Sequence, residues 1–120
     1  MNDDIQALVD EIDRHPDPLH ADRTPAVEAL IRRGASALPA VLPLLESDRP
    51  ETRMRAQRIL AAVTRDIMDA EHRDRPLERG AMQHWQALWE ENGDYDWRAS
   101  ASDRREALRR WREWLGGRQV

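Results

Sequence analysis

Three observations predict an all-α fold of six short amphipathic helices, stacked as about three helical hairpins. Apolar residues recur at three- and four-residue spacing along almost the whole 120-residue chain, which gathers them on one face of a 3.6-residue helix. No run alternates apolar and polar residues long enough to make a half-buried strand. The links are short and carry proline, glycine or asparagine, the usual punctuation between packed helices.

In the first helix Ile5, Leu8, Val9 and Ile12 fall on one narrow stripe, and "HPDPLH" ends it, because proline cannot continue a helix and disfavours it in the residue before. Thr24 followed by Pro25 starts the second helix as N-cap and first residue; it buries Val27, Leu30 and Ile31 and stops at Gly34. Leu38, Val41, Leu42 and Leu45 form the stripe of the third, with Pro39 and Pro43 turned outward so that they bend the helix and leave its core face intact. The fourth is expected from about Arg49 to Met68, burying Ala56, Ile59, Leu60, Val63 and Ile67. Asp74 and Pro76 open the fifth, with a stripe of Leu77, Ala81, Met82, Trp85, Leu88 and Trp89, and Asn92 with Gly93 closes it. Ser102 or Asp103 caps the sixth, which presents Ala107, Leu108, Trp111, Trp114 and Leu115 before Gly116 and Gly117.

Composition removes several classes of chemistry. With no cysteine there is no disulfide, thiolate metal site or thiol nucleophile. All 19 basic residues are arginine, so Schiff-base chemistry and a phosphate-loop lysine are absent, and five scattered glycines build no phosphate cradle. No apolar run approaches the roughly 20 residues of a membrane span, and the N-terminus lacks the order of a signal peptide; a soluble, cytoplasmic protein is expected. The net charge of -4 is uneven: residues 1–22 hold seven acids against Arg14, leaving the rest at +2.

The last two predicted helices are related. "ERGAMQHWQALW" aligns with "DRREALRRWREWL" at an offset of 26, pairing Arg79 with Arg105, Ala81 with Ala107, Met82 with Leu108 and Trp85 with Trp111. The segment "ALPAVLPLLESDRPETRMRAQRILAAV" carries a second pattern: a proline-bearing helix ending in Leu44 and Leu45, Asp48 in the turn, then Arg53, Ala56 and Leu60. In this it resembles a HEAT repeat of the armadillo type. The resemblance implies one domain over 1–120 shaped as a short right-handed α-α superhelix, with a degenerate hairpin at 3–34, the best-matching repeat at 36–66 and a Trp-rich pair at 75–116 similar to terminal units of bacterial HEAT-like proteins. It also implies a ladder role for Asp48 and Arg53, which in the family hydrogen-bond neighbouring repeats, and a scaffold function.

Between Thr52 and Arg65 the chain holds four arginines and no acid. Arg58 and Arg65 project opposite Ile59 and Val63, with Met54 and Ala61 between them, a flat basic surface that Arg32 on the second helix and Arg109 on the sixth extend if the helices stack in parallel. The bland alternative is a solvated face, strongest on the sixth helix, where Glu106–Arg110 and Arg109–Glu113 lie four apart. The five tryptophans all fall in the last 36 residues and at helical spacing read first as core; Tyr95 and Trp97, in a loop, either lock that loop or stand exposed as anchors.

The four histidines lack zinc spacing, and "ENGDYDW" lacks the later ligands of a calcium loop, so no metal, cofactor or catalytic residue is expected. The expected function is a non-catalytic module, monomeric or weakly self-associating, that binds another protein through Arg32, Arg55, Arg58, Arg65, Arg109, Tyr95 and Trp97. Nucleic-acid binding by the same arginines is the first alternative, and a small-molecule or enzyme site between the last two helices the second.

Overall fold

Thr24 shows how the local signals become structure. Its hydroxyl accepts from the Val27 amide at 3.1 Å and donates to the Ile12 carbonyl at 2.8 Å, so one side chain caps the second helix and ties it to the end of the first. The computed structural model describes residues 2–71 and 80–118. Among these, α1 spans Asn2–Asp10, α2 Pro25–Arg33, α3 Leu38–Val41, α4 Pro50–Glu71, α5 Ala81–Glu91 and α6 Ala101–Arg118, and no strand occurs. Five of these are helices of nine residues or more; α3 is a single turn.

That single turn departs from the expected third helix. Pro39 and Pro43 have no N–H, so the i→i−4 ladder is interrupted every fourth residue and the chain tightens into 3₁₀ turns at Gly34–Ala37 and Leu42–Glu46. The stripe survives: Leu38, Val41, Leu42 and Leu45 are buried while both prolines face water. The tripartite segment thus acts as a bent rod with one apolar edge.

α4 is the central column. Ala56, Ile59, Leu60 and Val63 are buried against α2 on one side and against the Leu42–Glu46 turn on the other, and a single cluster of buried residues runs from Ile5 to Leu115. α1 lies on α2 and α3, and α2 lies on α4. The last pair breaks this order: α5 packs on α4, while α6 packs on the Leu42–Glu46 turn. Arg105 of α6 lies 3.8 Å from Glu46 there. A radius of gyration of 14.3 Å is close to the roughly 13.6 Å of a compact chain of this length.

Aromatic rings bridge α5 and α6. Centroids of Trp85–Trp89, Trp89–Trp111 and Trp111–Trp114 are separated by 5.5, 5.3 and 5.3 Å, tilted or edge-to-face, the arrangement that ring quadrupoles favour. The two related helix faces are used differently, for Leu108 and Trp111 are buried whereas Met82 is exposed, against the expected stripe. Asp74, Pro76 and Leu77, expected to open the fifth helix, lie outside the described residues. Ser100, not Ser102 or Asp103, caps α6 by accepting from the Asp103 amide at 3.1 Å, and the helix continues through Gly116 and Gly117 to Arg118.

Gly93 closes α5 with φ 96°, and a Cβ there would stand 3.1 Å from the Ala107 Cα of α6. Gly93→Ala therefore meets both a left-handed backbone and an immovable neighbour, and should lower unfolding free energy by roughly 1–3 kcal/mol. Gly116→Ala, inside α6 with open space around it, should instead raise it by up to about 1 kcal/mol. Denaturant unfolding of the two variants reads both signs.

Candidate functional site

The arginines of α4 divide into two groups. Arg55 follows the helix period onto the core, four residues before Ile59, and its side chain is 6 % exposed. Its Nη1 donates to Asp13 Oδ1 at 2.7 Å and its Nε to the Ala21 carbonyl at 3.0 Å, while Thr52 donates to Asp13 Oδ2 at 2.6 Å. Burial works to raise the Asp13 carboxyl; the bonds from Thr52 and Arg55 and the charges of Arg55 and Arg49 overcome it and hold the group below its ordinary 3.8. The stability this contributes is in place above pH about 4 and is lost as pH falls through the depressed value. Arg55 is therefore a tie to the α1–α2 link and not a surface for a partner, which corrects the sequence expectation.

Arg53 points the other way. Its Nη1 donates to the Ser47 carbonyl at 2.7 Å and its Nε to the Trp97 carbonyl at 3.0 Å. It joins the turn before α4 to the loop before α6, but through carbonyls: among the described residues no hydrogen bond or ion pair links it to Asp48, which is exposed. A guanidinium that meets two carbonyls has no need of the turn carboxylate.

Further along α4 the surface opens into a groove of about 450 Å³, within the roughly 300–1,000 Å³ common to ligand sites. Met54, Gln57, Ala61 and Ala62 form its floor, Arg58 and Arg65 rise from the same helix, and Trp85, Trp97, Asp22 and Asp66 line the rest. One indole wall is held through its ring and the other through its backbone. Trp85 Nε1 donates to Thr64 Oγ1 at 2.9 Å, and that hydroxyl, fully buried, donates back to the Leu60 carbonyl at 2.7 Å. The Trp97 amide donates to Gln57 Oε1 at 2.9 Å, its carbonyl is the one that Arg53 reaches, and the Arg98 guanidinium lies 5.6 Å from its ring centroid.

The two groove arginines differ in commitment. Arg58 places Nη1 3.4 Å from Asp22 and Nη2 3.6 Å from Glu28, with 26 % of its side chain exposed. Arg65 is exposed and has no ion pair among the described residues. Arg58, expected on an unpaired face, instead meets two carboxylates, because Asp22 of the α1–α2 link and Glu28 of α2 lie against α4.

The remaining candidates lie elsewhere. Arg32 is exposed on α2 but does not line the groove. Arg109 cannot extend the α4 face, since α6 packs on the Leu42–Glu46 turn; it bonds Glu106 and Glu113 at 2.6 Å each. Hydrogen bonds from Arg109 and Arg110 bring the Glu106 carboxyl down to about 2. Tyr95 is buried and its hydroxyl donates to the Leu45 carbonyl at 2.6 Å, so it locks the loop and is not an exposed anchor. Sequence reasoning assigned Trp85 to the core and passed over Gln57, Ala62, Asp22 and Asp66; the four-residue spacing of Gln57, Ala61 and Arg65 and of Arg58, Ala62 and Asp66 was the available signal for those on α4. Among the described residues no three His, Asp or Glu side chains converge as a metal site, and no helix is long and apolar enough to cross a membrane.

Burial pushes the Tyr95 hydroxyl up to about 12 from an ordinary 10. A raised value keeps the neutral phenol in the folded state, so this contribution is complete below pH 10 and disappears as pH rises from 10 towards 12. Tyr95 is the only tyrosine, so phenolate absorbance should titrate well above 10 in the folded protein and near 10 in urea; a folded midpoint near 10 would mean that the hydroxyl is exposed.

Comparison of the chain with protein-family models, with curated proteins and with solved structures gave no match.

Proposed function

We propose that the chain is a non-catalytic protein-binding module of HEAT-like build, and that the groove along α4 is its recognition surface. The observation that carries this reading is the pairing of two indoles with a mixed-charge rim: the Trp85 ring is held by Thr64 and the Trp97 backbone by Gln57, while Arg58, Arg65, Asp22 and Asp66 line the same groove. Aromatic rings beside a low floor of alanines give apolar contact area, and a ring held as Trp85 is gives it at small entropic cost.

The same rim weighs against nucleic acid. A phosphate backbone is held by several cations acting together, and here two aspartates stand beside two arginines of which one is already paired. The reading of α5 and α6 as a small-molecule or enzyme site has less support, because four tilted indoles pack between those helices and the cavity of about 380 Å³ beside the buried Tyr95 is rimmed mainly by Asp94, Asp96, Asp103, Glu106 and Arg110. The superhelical build is supported over the first two units, where α1 lies on α3 and α2 on α4, as successive hairpins of such a stack do; α5 and α6 close the stack in exchanged positions.

The test is selection from a random displayed-peptide library and, in parallel, from a pool of single-stranded oligonucleotides, on the wild-type chain and on Arg65→Glu. Peptides should be enriched on the wild type and lost on the variant, with circular dichroism unchanged. Enrichment of oligonucleotides alone, with a steep fall in binding as salt rises, would overturn the proposal.

A further inference from the structure

We propose that the groove selects one carboxylate set beside one apolar side chain, with Arg65 clamping the carboxylate and Trp85 and Trp97 flanking the apolar group. This rests on the protein-binding reading above and names the motif which that surface recognises.

The charge of the ligand follows from what each arginine is already doing. Arg58 lies 3.4 Å from Asp22 and 3.6 Å from Glu28, so two carboxylates of the chain itself already face its charge. Arg65 stands on the same face two turns later, exposed and without an ion pair among the described residues. Its guanidinium offers a planar fork of donors that matches a carboxylate bidentately. One uncommitted cation is matched by one anion. A second negative charge in the ligand meets Asp22 or Asp66, both of which line the groove.

The apolar half follows from the floor and walls. Ala61 lies four residues before Arg65 and therefore directly along the helix from it; with Ala62 it leaves the floor low where a longer side chain would fill it. Trp85 is anchored to Thr64 at 2.9 Å, and the Trp97 amide to Gln57 at 2.9 Å. The Trp85 ring does not turn without giving up Thr64, and the backbone that carries Trp97 does not shift without giving up Gln57 and Arg53. A carboxylate on the Arg65 fork places its neighbouring residues over those alanines, between the indoles.

The experiment uses the full chain and a set of N-acetylated, C-amidated peptides, each with one Glu and one Leu or Trp separated by one to four residues, followed by indole N–H NMR. At least one spacing should shift the Trp85 and Trp97 signals and leave Trp111 unmoved. Replacing its Glu by Gln should weaken binding about tenfold or more. Arg65→Gln should weaken the Glu peptide equally and abolish its advantage over the Gln peptide, and that advantage should shrink as salt screens the pair. Equal binding of Glu and Gln peptides, or unchanged affinity in Arg65→Gln, would overturn the carboxylate assignment and leave the protein-binding reading standing. Groove signals that move with no peptide of the set, and only with oligothymidylate, would overturn both.

Discussion

Two buried guanidinium groups, two residues apart on α4, hold the irregular parts of this chain to its helices. Arg53 and Arg55 point to different sides of the helix because two residues turn it by about 200°. Arg55 binds Asp13 and the Ala21 carbonyl in the link between α1 and α2; Arg53 binds the Ser47 carbonyl and the Trp97 carbonyl in the link between α5 and α6. A charge taken out of water is stable only with partners of this kind. The carbonyls concerned belong to segments with no ladder of their own, so each arginine satisfies backbone groups that a loop would otherwise turn to water.

This arrangement sets the form of the groove. Because Arg53 fixes the Trp97 carbonyl and Gln57 fixes its amide, the second indole wall is positioned from beneath by α4 itself. Trp85 is held from the same helix through Thr64. The floor, the Trp85 ring and the backbone that carries Trp97 therefore refer to one rigid element. The acidic N-terminal segment then neutralises Arg58 and leaves Arg65 as the exposed charge.

Much of the fold was legible in the sequence because helical periodicity reports burial directly. The stripes of α2, α4 and α6, the Thr24 cap, the Asn92–Gly93 stop and the outward prolines all follow from spacing and local chemistry. The third helix was overstated, since periodicity continues through a 3₁₀ turn whose hydrogen bonds differ. The site was legible only in part. Arg58, Arg65, Met54 and Ala61 share a face by helical projection, whereas the partners of Arg55 and Arg58 lie 30 to 42 residues away in sequence and no local rule reaches them. Arg109 was misplaced for a related reason: which neighbour α6 packs against depends on how bulky indoles fit between α5 and α6, and charge pattern carries no record of that.

The division of labour along α4 is tested most directly by comparing Arg55→Met and Arg65→Met in denaturant unfolding at neutral pH. Arg55→Met leaves Asp13 Oδ1 and the Ala21 carbonyl without their donor and should cost roughly 2–4 kcal/mol, less than a fully buried pair because 26 % of the Asp13 side chain reaches water and Thr52 still donates to its Oδ2. Arg65→Met should change stability by no more than about 0.5 kcal/mol. Equal and small effects at the two positions would contradict the claim that one arginine builds the fold and leaves the other free to recognise a partner.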